Sequence, residues 1–193
     1  MPVVFLYVGI LLMDKREVRQ HQIKLLIEFS KTYQKLEEDK LLSQLFLTSD
    51  DLKNAKSIGI SFSMDFEVNT QKIIEELWQL DKQVYIPRCL PKRQMEFTEF
   101  TPDTVLTTTS FGVKENHEEN AKVKNKLDLL VVPLLAFSVE NHARLGFGGG
   151  YYDRFLAKYS PKTVSLVNSK QLYQKNIWKI EETDIPIRKY LTI

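Results

Sequence analysis

From residue 14 to residue 47 the apolar positions fall at helical spacing. Val18, Ile23, Leu25, Leu26 and Phe29 make a stripe recurring roughly every 3.6 residues, which predicts amphipathic helix, with a break between two helices within 33–38. Residues 57–63 (SIGISFS) are short, β-rich and uncharged, as a buried strand requires. A polar turn follows, and Asn69 or Thr70 is placed to cap a helix whose inner face is Ile73, Ile74, Leu77 and Trp78. Residues 83–86 predict a short strand stopped by Pro87. Strand, helix, strand is a βαβ unit and implies parallel pairing. Residues 91–102 are irregular, with a hairpin through Met95, Glu96 and Phe97, and the charged stretch 115–126 predicts a mobile connection. Residues 127–132 (LDLLVV) form the most apolar strand, the pattern of a central strand buried on both faces. Pro133 ends it, a loop follows, a helix begins near Gly150 or Tyr151, and strands are expected at 163–167 and 190–193.

This alternation predicts an α/β fold: three layers, α/β/α, around a mainly parallel, Rossmann-like open sheet. The 193 residues suit a single domain, 1–193. With 43% hydrophobic and 27% charged residues, disordered and membrane classes are both excluded. Residues 2–12 are almost wholly apolar but too short to span a bilayer, and they lack the flanks of a signal peptide. Met13 then opens a charged segment, so the expected start is Met13, with 1–12 an extension from an upstream start codon. Cys89 is the only cysteine, which precludes an intrachain disulfide and fits a cytoplasmic protein. No histidine neighbours it to act as a base, so it reads as a packing residue. A net charge of +2 suits a small anionic ligand rather than nucleic acid. No nucleic acid or membrane partner is expected, and the chain reads as a monomer or weak homodimer.

Candidate chemistry concentrates between Arg144 and Arg154, where the chain reads RLGFGGGYYDR. Four of its seven glycines, Gly146, Gly148, Gly149 and Gly150, fall within five positions ahead of a helix. Such a cluster permits positive φ and close backbone approach, and with a helix N-terminus behind it makes an anion site. Arg144 adds a charge able to grip a phosphate. Neither standard nucleotide fingerprint fits: no Gly-Lys-Ser/Thr ends the loop, and Tyr151 stands where the dinucleotide pattern needs glycine. The bland alternative is a tight structural turn. Asp153 reads either as a carboxylate favoured by the first helical turn or, beside a triphosphate, as a ligand for Mg²⁺. Tyr151 and Tyr152 read either as core aromatics or as a platform for a flat heterocycle.

The stretch VVPLLAFSVENHARLGFGGGYYDRFL resembles the signature of the 5-formyltetrahydrofolate cyclo-ligases, and the resemblance runs from Met13 onward. KREVR at 15–19 is similar to the family's N-terminal Lys-x-x-x-Arg motif, FSMDFE at 62–67 to its substrate-contacting turn, and FGVKE at 111–115 to its Gly-Ile-x-Glu-Pro segment. Gln171 and the Asp184-Ile185-Pro186 segment match weaker positions. The resemblance implies that Lys15 and Arg19 hold ATP phosphates and that 144–152 cradle ATP. It implies Mg²⁺ at Asp153, and folate contacts from Phe62 and Glu67 with Phe147, Gly148, Gly149, Gly150 and Tyr151 lining the same cleft. Read by themselves, Lys15 and Arg19 are solvated helix charges sharing one face, and Glu67 is a surface residue at a strand's C-terminal end. His142 replaces a family glycine, Ser138 an acidic residue and Asn116 a proline, and the loop 137–144 is one residue longer; His142, His21 and His117 make no metal-ligand spacing.

The implied reaction closes 5-formyltetrahydrofolate to 5,10-methenyltetrahydrofolate as ATP becomes ADP and phosphate. Phosphorylation turns the formyl oxygen into a leaving group that the second folate nitrogen displaces. Such chemistry asks mainly for positioning and charge, the roles implied for Lys15, Arg144 and Asp153. Two rivals stand beside it. One is a non-catalytic nucleotide or phosphate-ligand sensor on the same fold. The other is an RNA-binding module, which the chain's lack of interleaved basic and aromatic stripes argues against.

Overall fold

The computed structural model describes residues 12–109 and 112–193, so the expected extension lies outside the described residues up to residue 11. Asp14 caps α1 (Lys15–Phe29) by accepting the Arg16 N–H, and Thr32 caps α2 (Tyr33–Leu47) by accepting the Lys35 N–H. The break between the helices therefore falls at 30–32, just before the expected 33–38 window, where a capping threonine restarts the helix. A short α3 (Asp50–Asn54) follows, capped by Ser49.

Only the first part of the predicted 57–63 strand is β1 (Ser57–Gly59). Side chains draw the rest away from the sheet: the Ser63 N–H donates to the Thr70 hydroxyl, the Thr70 N–H to the Ser63 hydroxyl, and the Thr70 hydroxyl to the Ser61 carbonyl. The resulting turn leads into α4 (Gln71–Gln79). Of the two capping candidates Asn69 does the work, accepting the Gln71 N–H at 3.0 Å, while Thr70 serves the turn. Ile73, Ile74 and Leu77 are buried as expected; Trp78 is half-buried, its indole N–H bonded to the Phe100 carbonyl.

β2 (Gln83–Leu90) runs straight through Pro87, contrary to the expected stop. It pairs parallel with β1 only at Gln83, Val84 and Tyr85, but antiparallel with β3 (Gln94–Glu99) along its whole second half. Residue 87 is the next whose N–H would face β1, so proline ends that ladder and leaves the other intact. The hairpin turn is the 3-10 turn at Pro91–Arg93, and Met95, Glu96 and Phe97 belong to β3. Next come a two-strand ribbon, β4 (Thr107–Thr108) with β5 (Lys114–Glu115), and the segment expected to be mobile. That segment instead straps the β3 edge: Glu99 N–H donates to the Lys122 carbonyl, Lys124 N–H to Phe97, and Glu115 and Asn116 are buried.

The 127–132 strand is β6 (Leu129–Val131). The expected loop after it contains β7 (Ala136–Ser138) and β8 (Arg144–Leu145), which join β10 (Leu172–Tyr173) in a small sheet. Then come α5 (Tyr151–Tyr159), β9 (Lys162–Leu166) and β11 (Lys189–Leu191). The main sheet has the order β11-β9-β6-β1-β2-β3, parallel throughout except for β3. Along β6 the pleat sends Leu129 and Val131 into the core shared with α2 and α4, and Leu130 into the core shared with α5. Three α/β/α layers result. A third cluster, Val18, Ala136, Ala143, Leu145 and Trp178, seats α1 on the small sheet. From β1 the chain moves out to β2 and β3, then returns to the other side for β6, β9 and β11. The reversal opens a crevice beyond the C-terminal ends of β1 and β6.

Candidate active site

The crevice is lined by Ser61, Ser63, Glu67 and Thr70 after β1, by residues 131–134 at and beyond the end of β6, and by Gln171; it encloses a cavity of about 30 Å³. Glu67 is buried, and one oxygen accepts the Met64 N–H at 2.8 Å. Burial pushes its carboxyl up to about 7, against that hydrogen bond and the charge of Lys35, which both pull it down. Tyr152 faces it from α5, with its hydroxyl towards Ser61 and Glu67, buried and, among the described residues, without a hydrogen-bond partner. Gln171 is a clamp, donating to the Leu134 carbonyl and accepting the Asn168 N–H. Phe62 stands at the rim with the Lys114 ammonium 4.8 Å above its ring. Those two residues border a polar hollow of about 190 Å³ shared with Ser63, Met64, Asp65, Gln71 and Gly112.

Above the crevice lies the glycine loop. Gly148 has φ +98° and Gly150 φ +67°, conformations that side chains avoid. At Gly149 a Cβ would stand 2.6 Å from the Tyr151 ring, so that ring lies flat over the loop because no side chain is there. Gly150 precedes α5 as its N-cap, and no side chain caps the helix. α1 reaches the same place: the Arg19 Nε–H donates to the Gly146 carbonyl at 2.9 Å. Lys15, one turn earlier, is held by Asp184 and by Glu181 at 3.3 Å. Phe147 is exposed and meets Phe66 at 6.4 Å between ring centres, which links the loop to the 62–67 turn.

Arg144 sits beneath the loop rather than in it. Its guanidinium, 4% exposed, donates from Nη2 to both Asp153 oxygens at 3.0 Å and from Nη1 to the Pro133 carbonyl at 3.3 Å. Asp153 also accepts the Ile185 N–H at 3.2 Å, so the carboxylate ties α5 to the chain after Asp184. The expected phosphate grip of Arg144 thus has a different geometry: the arginine holds Asp153, and Asp153 holds the mouth of the cradle.

The two tyrosines diverge. Tyr152 turns towards Glu67 with the Arg144 guanidinium 5.7 Å from its ring, while Tyr151 turns towards Cys89. Cys89 is exposed on β2, contrary to the packing role expected of it, and partial burial together with Glu115 pushes its thiol up to about 12. His142 packs tilted against Phe137 and edge-on to Tyr190, with Nδ1 on the Ile187 carbonyl. Phe111 lies outside the described residues. Sequence reasoning gave no role to Glu115, whose carboxylate accepts the Cys89 N–H at 3.2 Å and meets His117 at 2.9 Å. It also passed over the buried pair Lys35–Asp39, whose i, i+4 spacing looks like any solvated helix pair.

Among the described residues no group of three or more histidine, cysteine or acidic side chains is arranged to hold a metal by itself. A Mg²⁺ ion carried on phosphates asks for less. One or two hard carboxylate oxygens beside the phosphates would suffice, and Asp153, whose oxygens accept from Arg144 and the Ile185 N–H, is the carboxylate in the first turn of α5.

Comparison with known proteins gives one family. The model of the 5-formyltetrahydrofolate cyclo-ligase family matches residues 12–193. The 5-formyltetrahydrofolate cyclo-ligase of Haemophilus influenzae is 32% identical over 179 residues, 90% of this chain and 95% of that protein. Its counterpart in Escherichia coli K12 is 34% identical over 148 residues, 72% of this chain and 78% of the other. Among solved structures, the 5,10-methenyltetrahydrofolate synthetase of Aquifex aeolicus superposes with a TM-score of 0.77 at 25% identity, covering 93% of this chain and 90% of that one. The synthetase of Mycoplasma pneumoniae, at 21% identity and a TM-score of 0.68 over 92% and 98% of the chains, shares the fold.

Proposed function

The chain belongs to the 5-formyltetrahydrofolate cyclo-ligase family, and from that premise we propose that it closes 5-formyltetrahydrofolate to 5,10-methenyltetrahydrofolate, spending ATP and releasing ADP and phosphate. It is a ligase acting on a small folate substrate. The observation that carries the reading is the meeting of two sites at the β1/β6 reversal: an uncapped glycine cradle for phosphates, and a buried carboxyl, Glu67, facing Tyr152 across the crevice.

Each residue has a task. Arg19 already leans on the loop through Gly146, so its remaining guanidinium N–H groups face phosphates held by Gly146, Gly148, Gly149, Gly150, Tyr151 and Tyr152. Lys15 exchanges Asp184 and Glu181 for phosphate oxygens. Asp153, oriented by Arg144, holds Mg²⁺, which when bound neutralises charge on the transferring phosphoryl group. Phe62, Glu67 and Phe147, with the face of the loop from Gly148 to Tyr151, hold the folate. Positioning is most of what this chemistry needs, because the attacking nitrogen and the activated carbon both belong to the substrate. No helix of the described residues is long and apolar enough to cross a membrane. We read residues 13–193 as one domain that works in the cytoplasm as a monomer or weak homodimer.

The test is absorbance in the near ultraviolet, where the methenyl product absorbs. Growth of the band only with 5-formyltetrahydrofolate, Mg²⁺ and ATP together supports the proposal. A flat trace from folded, ATP-binding protein would move the reading to a nucleotide sensor, which family membership disfavours.

A further inference from the structure

The turn that follows β1 faces two ways. Glu67 and Thr70, from its second half, line the crevice, whereas Phe62, Met64 and Asp65, from its first half, line the polar hollow of about 190 Å³; Ser63 lines both. The hollow therefore continues the cleft. Its wall on this side is fixed, because the Ser63 hydroxyl donates to the Gln71 side chain at 3.0 Å and the Gln71 amide donates back to the Ser63 carbonyl at 3.1 Å. Lys114 enters from another element, β5, which is pinned at both of its neighbours. The Val113 carbonyl accepts the Thr109 N–H at 2.8 Å, and the buried Glu115 carboxylate accepts the Cys89 N–H at 3.2 Å. With Glu115 turned inward, strand alternation turns Lys114 outward. Its ammonium lies 4.8 Å from the centre of the Phe62 ring, which Phe100 holds edge-on at 6.2 Å. Among the described residues no carboxylate lies within ion-pairing distance of Lys114.

No step of the reaction above draws on this hollow or on Lys114. A cation without an acidic partner, set beside a polar hollow, suits an anionic ligand. Asp65 lines the same hollow, so a matching ligand brings carboxylates for Lys114 and an N–H donor for Asp65. The tail of a folate has both: an amide N–H and, a few bonds on, the two carboxylates of its glutamate. We propose that the hollow is the subsite for this glutamate tail, with Lys114 pairing with its carboxylates and Asp65 accepting its amide N–H. The proposal rests on the cyclo-ligase reading of the crevice and adds to it the end of the substrate remote from the reacting carbon.

Two substrates test it: 5-formyltetrahydrofolate, and 5-formyltetrahydropteroate, which lacks the glutamate. In the wild type KM should be about fivefold lower for the first, the scale of an exposed ion pair, and added salt should shrink that ratio. In Lys114→Ala the ratio should fall to near one through a higher KM for the glutamate-bearing substrate. The effect falls on KM rather than kcat, since the tail is held alike in ground and transition states. Lys114→Arg keeps the preference and Lys114→Glu reverses it. Lys114 is exposed, so these variants keep the fold. A fivefold ratio that survives in Lys114→Ala overturns the proposal, as does a ratio near one in the wild type. A rise in KM for ATP in place of the folate also overturns it, by moving Lys114 to the nucleotide. If the wild type turns over neither substrate, the cyclo-ligase reading fails. The same ratio, read as dissociation constants by calorimetry, then decides the tail subsite alone: a preference lost in Lys114→Ala supports it, and equal constants in the wild type overturn it.

Discussion

Glu67 and Asp153 sit at the same cleft in different surroundings, one among buried apolar and hydroxyl groups, the other against an arginine. For Glu67 the folded protein raises the carboxyl from 4.5 to about 7, mainly by burial. A raised pKa stabilises the fold fully below the unfolded value, and that stabilisation is lost as pH climbs through the folded one, here from 4.5 to about 7. The loss amounts to about 3 kcal/mol. Glu67→Gln cannot ionise, so in urea unfolding it should match the wild type near pH ~4.5 and exceed it by about 3 kcal/mol at pH ~8. A gap independent of pH would show that the carboxyl titrates normally. Asp153 predicts the opposite trade. Asp153→Asn keeps an acceptor for Arg144 and the Ile185 N–H, so it should fold while turnover falls on the order of a hundredfold. Asp153→Ala strands a buried guanidinium, and unfolding should show a further loss of about 3 kcal/mol. Wild-type turnover in the Asn variant would remove Asp153 from the site.

The loop between β8 and α5 works because its glycines do different jobs. Gly148 and Gly150 supply positive φ, whereas Gly149 makes room for the Tyr151 ring. Gly150→Ala should therefore cost about 1 kcal/mol, measurable as a lower urea midpoint, because an alanine at φ +67° is strained and its Cβ meets the Arg154 guanidinium. Gly149→Ala should leave stability closer to wild type yet raise KM for both substrates, since Tyr151 must swing away. If KM stays put, the Tyr151 ring has no part in the cradle. β2 shows the same division of labour in a strand. Pro87 ends one ladder and spares the other, which a reading of proline as a simple strand stop could not distinguish.

At the scale of the molecule, three separate stretches of chain converge on the cradle: α1 through Lys15 and Arg19, the loop with α5, and the segment around Asp184. Trp178, fully buried in the small third core, fastens the first to the last, and Met13 N–H bonds the Ile177 carbonyl beside it. Trp178→Ala should lower unfolding stability by about 4 kcal/mol, read from guanidinium titrations. A loss under about 1 kcal/mol would mean that α1 is held by its ion pairs alone. By itself the sequence determined the α/β class, the parallel sheet, the central apolar strand and the glycine loop ahead of α5. Local periodicity and glycine spacing encode these within a few residues of chain. It also pointed to the family, because RLGFGGGYYD is a contiguous pattern. Tertiary structure alone decided that the chain reverses between β1 and β6 and that Arg144 grips Asp153 beneath the loop. Each of these depends on partners between nine and seventy-odd residues apart, and a charged side chain carries no local sign of whether folding will leave it in water or enclose it beside an opposite charge.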